Sequence, residues 1–312
     1  LPYTQAQIGH LGKGTNWQDA IFRRAPVSNI SLGFNGGDEN THYFLSMNYF
    51  NQKGIILGSD YKRGILRFNL DQDLSDKIRV GVSSQVSYGY QNAPSVNTSG
   101  GGTTPSVLWD AVRFNPALPV RDSTGAYTYK NDPLPYVFPT GNPVAYATEA
   151  LDANYDLHVF ANADVIYEPV RGLQLKSTFG VDYLNGGEKH FVPSTLYVGS
   201  VNGGSASQQS SQNYNWLNEN TITFDRTFNG IHAIDVVGGF TLQHWYDRNF
   251  SAGITGLSTN NEAADNLGIG TPGSPSSSFT ENVLASYFAR ANYRLMDKYL
   301  FTFTMRADGS SR

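Results

Sequence analysis

The stretch IRVGVSSQVSYGYQ, residues 78–91, alternates without a break. Ile78, Val80, Val82, Ser84, Val86, Tyr88 and Tyr90 fall on one side, and Arg79, Gly81, Ser83, Gln85, Ser87, Gly89 and Gln91 on the other. Successive side chains of a strand point to opposite faces, so the stretch reads as one strand with an apolar and a polar face. It is more than twice the usual strand length of about 5–6 residues. A strand this long and apolar on one side only restricts the chain to folds that need a wide apolar band.

The pattern recurs. Ile30, Leu32 and Phe34 share a face, as do Tyr43, Leu45, Met47 and Tyr49. Leu66, Phe68 and Leu70 alternate with Arg67, Asn69 and Asp71. Leu157, Val159, Ala161, Ala163, Val165 and Tyr167 alternate with His158, Asn162 and Asp164; Leu173, Leu175, Phe179, Val181 and Tyr183 alternate with Gln174, Lys176, Thr178 and Asp182. Ile234, Val236, Gly238, Phe240 and Leu242 continue the series, then Val283, Ala285, Tyr287, Ala289, Ala291, Tyr293 and Leu295 against Ser286, Arg290, Asn292 and Arg294, then Tyr299, Phe301, Phe303, Met305 and Ala307. YNWLNENTITFDRTF (214–228) alternates less cleanly and is also read as a strand. The total is about ten strands.

The connections alternate in length. Short ones lie near 36–41, 74–77, 169–172, 227–230 and 296–298; long ones, rich in Gly, Ser, Asn and Pro, at about 52–62, 93–153, 185–212 and 248–280. Residues 1–26 read as a lead-in and 27–312 as the strand-bearing section. Short turns on one side and long loops on the other characterise an up-and-down outer-membrane β-barrel. The lengths agree: about 11 residues at about 3.3 Å each, tilted about 40°, rise roughly 28 Å, close to the hydrocarbon thickness. Such strands need aromatic collars at both rims. Tyr43, Tyr167, Tyr293 and Tyr299 stand beside the short turns, and Tyr88, Tyr90, Tyr183 and Trp245 toward the long loops. On this reading Val80, Val82, Val86, Leu173, Val181 and Val283 face lipid. A soluble β-sandwich or propeller also alternates, although propeller strands are short and recur every ~40–50 residues.

Composition removes other classes. A net charge of −4 gives no electrostatic basis for nucleic-acid binding, and the absence of Cys excludes disulfide scaffolds and thiolate chemistry. No apolar run approaches the roughly 18 residues of a transmembrane helix. The opening LPYTQAQIGH shows no initiator Met or leader pattern, so the chain reads as processed or as an internal piece. GIGTPG (268–273) spells G-x-G-x-x-G, but in a Ser/Pro-rich loop with no helix following. G-x-S-x-G and H-E-x-x-H do not occur, and the six His are scattered. Asp38 and Glu39 read as a solvated turn rather than a cation site. No enzymatic, metal or cofactor chemistry is expected.

Residues 15–81, beginning TNWQDAIFRRAP, and 287–312, YFARANYRLMDKYLFTFTMRADGSSR, resemble segments of SusC/RagA-type TonB-linked outer-membrane transporters. LWDAVRFNPALPVRDSTGAY and NPVAYA look like one of that family's extracellular loops. The resemblance spans essentially the whole chain. It implies an internal section of a barrel of about 22 strands, closed by a plug that these residues do not include. It further implies a SusD-like surface lipoprotein as lid, TonB as energy coupler, outer-membrane localisation, and an oligosaccharide or peptide as cargo. Arg67, Asn69, Gln85, Asp164, Lys176, Asp182, Arg290, Asn292 and Arg294 then face the lumen, with Arg290 and Arg294 the sharpest candidates for contact with an acidic plug surface. Trp109, Phe114, Tyr127, Tyr129, Tyr136 and Phe138, in the 93–153 loop, are candidates for ligand or lid contact. A short helix is expected in TPSVLWDAVRF, with Trp109, Ala111, Val112 and Phe114 on its buried side. The alternatives are a soluble carbohydrate-binding β-domain and a small outer-membrane barrel acting as enzyme or adhesin.

Overall fold

The computed structural model describes residues 4–96, 106–128 and 141–312. The strands are β1 (Val27–Gly37), β2 (Thr41–Lys53), β3 (Asp60–Ser75), β4 (Ile78–Asn92), β5 (Leu151–Val170), β6 (Leu173–Val192), β7 (Ser205–Phe228), β8 (His232–Thr255), β9 (Thr271–Pro272), β10 (Ser276–Leu295) and β11 (Tyr299–Ser310). Apart from β9, which pairs with β8 off the path, each strand pairs antiparallel with its sequence neighbours in one sheet. The sheet is not closed: β1 and β11 each have one partner. This is an all-β, up-and-down barrel section.

The short turns explain the tight hairpins. Asn229 and Gly230 both take positive φ, as do Met296 and Asp297, the pair of left-handed residues that suits a type I′ turn to the twist of its strands. At the β1–β2 turn the Asp38 carboxylate accepts the N–H groups of Asn40 and Thr41, both at 2.8 Å. Those bonds hold its pKa below the usual value and commit the group to the turn.

On the other side the strands outrun the sequence expectation. Most of 185–212 and the first part of 248–280 are strand, so the connections contract to 193–204 and 256–275. These extensions are rich in Ser, Gln, Asn and Gly. Beyond the apolar band both faces meet water, so backbone pairing continues after hydrophobic alternation ends. The alternation marks the width of the band, not the end of the strand.

A compact cluster sits at this end. It joins the lead-in to the loop after β4 through α2 (Trp17–Ile21), α3 (Val107–Arg113) and α4 (Pro143–Glu149); α1 (Gln5–His10) precedes it, and α5 (Tyr197–Asn202) lies between β6 and β7. Trp17, Ile21, Val107, Ala111, Phe114, Tyr146 and Leu196 are buried together. Trp17 meets Phe114 edge-on with centroids 4.9 Å apart and donates its indole N–H to the Asn115 carbonyl at 3.1 Å. Burying each large side chain contributes roughly 1.5–3 kcal/mol. The Ser106 hydroxyl caps α3, and the Asn142 side chain caps α4 by accepting the N–H groups of Val144 and Ala145. The helix expected in this loop is present, but its buried side is Val107, Asp110, Ala111 and Phe114, and Val112 is exposed. That side follows i, i+3, i+4, i+7 spacing; the carboxylate within it hides the stripe from a hydrophobicity count.

Burial pushes the Asp110 carboxyl up to about 7, against the opposing pull of N–H groups from Ser106 and Gly141 and of nearby Arg113. In an unfolded chain it titrates near ~3.9. Between about pH 4 and 7 the folded cluster keeps a proton that the unfolded one releases, so its stability is highest at the acid end and falls as pH rises through the folded value. Hydrogen-exchange protection in α3 and α4, corrected for intrinsic rates, is expected to fall by on the order of 2–4 kcal/mol between about pH 4 and 8. Asp110→Asn should leave it level across that range.

Candidate functional site

Residues paired across an antiparallel ladder share a face, so register assigns every side chain to a side. One row runs Leu70–Val82–Ala163–Phe179–Asn218–Leu242–Ala285, and another Leu66–Val86–Val159–Tyr183–Tyr214–Tyr246–Glu281. Val80, Val82, Val86, Leu173, Val181 and Val283 all lie on this apolar face. Tyr49, Tyr88, Tyr90, Tyr155, Tyr183, Tyr214 and Tyr246 edge it toward the long loops; Tyr43, Tyr167, Tyr293 and Tyr299 edge it toward the short turns. Trp245 does not belong to the collar. It pairs with Asn215 and Asn282 on the polar face, and Tyr246 takes the collar position. Counting parity onward from Phe240 and Leu242 gives the same assignment.

The apolar face carries a chain of polar side chains across β6 and β7. The Ser177 hydroxyl donates to Asn220 Oδ1 at 2.8 Å, Asn220 Nδ2 to Asn218 Oδ1 at 2.7 Å, and Asn218 Nδ2 to the Thr178 carbonyl at 3.3 Å. These two asparagines are why β7 alternates poorly in sequence. Nearby, His244 stacks on Trp216 with centroids 5.7 Å apart and lies 2.8 Å from Glu281 Oε1.

Register puts Arg67, Asn69, Gln85, Asp164, Lys176, Asp182, Arg290, Asn292 and Arg294 on the polar face. Most are engaged within the wall. Arg67 donates twice to Gln85 Oε1, at 3.1 and 2.6 Å; Lys176 lies 3.8 Å from Asp164; His158 lies 2.7 Å from Asp182. Asn292 donates to Asp235 at 2.8 Å, and Arg294 pairs at 3.0 Å with Asp297 in its own turn. These pairs are partly exposed and add little stability; their effect is to hold side chains down against the sheet. Polar side chains of this face also lie over glycines of the facing strand: a Cβ on Gly180 would meet Asn162 Oδ1 at 2.5 Å, and one on Gly81 would meet Asp164 Oδ1 at 2.8 Å. Arg290 has no ion pair among the described residues and shares a cavity of about 440 Å³ with Asp225 and Asp235. Among the described residues no group of three His, Asp or Glu could hold a metal.

In the 93–153 loop, the structure removes Phe114 from the contact candidates, because its ring is buried against Trp17. Trp109 is half-buried under the Arg113 guanidinium, 4.9 Å from its ring. Tyr127 lies under Arg121, 3.7 Å from the ring centre, and borders a cavity of about 540 Å³ between this loop and the β6–β7 connection. Tyr129, Tyr136 and Phe138 lie outside the described residues.

No protein-family model matches the chain. TonB-dependent receptor P3 of Formosa agariphila is 35% identical over 99% of the chain, and TonB-dependent receptor SusC of Bacteroides thetaiotaomicron is 28% identical over 96%. The chain spans 31% and 30% of their respective lengths. Among solved structures, the RagAB peptide transporter superposes with a TM-score of 0.76 at 20% identity, covering 96% of this chain and 34% of that one. The ferric preacinetobactin receptor BauA of Acinetobacter baumannii superposes with a TM-score of 0.51 at 11% identity, covering 92% and 41%. Over nearly its whole length the chain is thus similar to TonB-dependent receptors of the SusC/RagA type, β-barrel proteins of the bacterial outer membrane, and it has the fold of part of such a barrel's wall.

Proposed function

We propose that this chain forms wall and extracellular loops of an importer that carries a bulky nutrient, an oligosaccharide or a peptide, across the outer membrane. The observation that supports it is the continuous antiparallel pairing of ten strands, which gathers an apolar band between two tyrosine edges on one side and a polar wall on the other. The apolar face meets acyl chains. The polar face lines a lumen, where Arg67, Asn69, Gln85, Asp164, Lys176, Asp182, Arg290, Asn292 and Arg294 border the solute path or hold a plug lying outside these residues. Asp225 and Asp235 beside Arg290 supply acidic neighbours from the wall itself, so a plug contacting this cluster meets both signs of charge. A SusD-like lipoprotein closes the long-loop end, and TonB energises release. The protein works by binding and gating rather than by catalysis, in line with relatives named as receptors and with a solved neighbour described as a peptide transporter.

Two measurements test this reading. Deleting the gene, or tonB, should abolish energy-dependent uptake of the same nutrient; uptake that survives loss of TonB would remove the importer assignment. Within the full-length barrel, Val82→Arg should cost about 2–4 kcal/mol in a folding titration in lipid, and Gln85→Arg clearly less. Equal penalties would mean that the faces are exchanged.

A further inference from the structure

On the polar face an aromatic ring stands among amides at Trp245. This ring sits directly between Asn215 on β7 and Asn282 on β10, and one row higher Asp247 sits between Asn213 and Thr280. Together they line an open depression of about 580 Å³. Among the described residues Asn213 and Asn215 have no side-chain hydrogen bond, and no other ring lies against Trp245. Asn282 Oδ1 accepts Arg312 Nε at 2.6 Å, which leaves its amide N–H groups, and Asp247 Oδ1 accepts Asn249 Nδ2 at 2.7 Å, which leaves its second oxygen. The two charged residues of the lining, Asp247 and Arg312, are of opposite sign and each makes one hydrogen bond to an amide. What is presented outward is an aromatic surface rimmed by amides.

We infer that Trp245 and its flanking amides form a subsite for a pyranose ring of a neutral oligosaccharide, an assignment that rests on the importer reading above. A pyranose offers an apolar C–H face and a rim of hydroxyls. The face suits an indole, and each hydroxyl needs a donor and an acceptor together, which a carboxamide supplies. A peptide is less well served. β7, β8 and β10 are interior strands paired on both sides, so no edge is open for strand addition, and the lining's two charges, Asp247 and Arg312, cancel to no net charge. Trp245 adjoins Tyr246 of the long-loop collar in sequence, so the subsite lies at the end of the lumen that solute entering from outside meets first.

The test uses the full-length protein, purified in detergent and titrated with malto-, cello-, xylo- and laminarihexaose, with uptake of the same sugars followed in cells that carry it. At least one hexaose should bind. Trp245→Ala should weaken that binding at least tenfold and Trp245→Phe less than threefold, while Ser83→Ala, elsewhere on the same face, should leave it unchanged. Asn215→Ala, expected to weaken binding about fivefold, keeps the test decisive if Trp245→Ala does not fold. Binding of none of the four sugars, affinity indifferent to Trp245 and Asn215, or Trp245-dependent binding of a tryptic peptide digest instead would overturn the subsite. Trp245-dependent hexaose binding without TonB-dependent uptake would overturn the importer reading and leave the subsite standing.

Discussion

Sliding β8 by one residue against β7 would carry Trp245 and Asp247 to the apolar side and Leu242 and His244 to the polar side, and every strand beyond would follow. Side-chain period two makes register an all-or-nothing variable wherever the two faces meet different surroundings. Here it holds from Val27 to Ser310 with two shifts, at Asp73/Ser75 and Tyr167/Val170, both beside short turns. A bulge there adjusts strand length without inverting a face within the band. The left-handed pairs Asn229–Gly230 and Met296–Asp297 fix the hairpins on either side of the β8–β10 seam, and Met296 N–H donates to the Ile231 carbonyl, tying the two turns together. Local turn chemistry and the lateral ladder thus enforce the same register.

At the opposite end the constraint is packing. The β4–β5 connection is the longest in the chain, and the 12-residue cluster of buried side chains beneath it fastens it to the lead-in and to the end of β6. Thr15 donates its N–H to the Pro116 carbonyl at 2.7 Å and its hydroxyl to the Leu118 carbonyl at 2.6 Å, so a segment distant in sequence becomes part of the loop's scaffold. A second small core, Phe191, Ala206, Ile254 and Ala264, seats the loop after β8 on the strand extensions. The barrel end is therefore built up from supported surfaces, with Tyr127 and Arg121 displayed on a rigid base.

The wall was legible because its physics is periodic. Val80 to Tyr90 state the apolar face directly, and the same count places Arg67, Gln85 and Asp182 opposite it. Three features escaped that count for identifiable reasons. The extensions of β6, β7 and β8 are two-sided polar, so they lack alternation although they keep their ladders. Asp110 interrupts an otherwise regular helical stripe; Ala111 and Phe114 were placed on its buried side, but the carboxylate concealed that Asp110 joins them and that Val112 faces solvent. Trp245 was grouped with the collar by residue type, whereas parity from Leu242 assigns it to the wet side. Contacts between the lead-in and the loop have no local signature at all, since they depend on chain segments about a hundred residues apart.

The asparagines show why residue type alone misleads in such a wall. On the apolar face Asn218 and Asn220 are tolerable because each donates to the next acceptor in a short closed chain ending at the Thr178 carbonyl. An unpaired amide in hydrocarbon costs several kcal/mol, so Asn can stand there only when its neighbours satisfy it. On the polar face no such penalty applies, because water satisfies an unpaired amide until something better arrives. Asn213 and Asn215 can therefore stay unpaired beside Trp245 at little cost to folding, and a ligand hydroxyl that replaces that water meets amides already held in place by the strands. On the apolar face Asn218 and Asn220 are satisfied within the sheet, while on the polar face a few amides stay available for recognition.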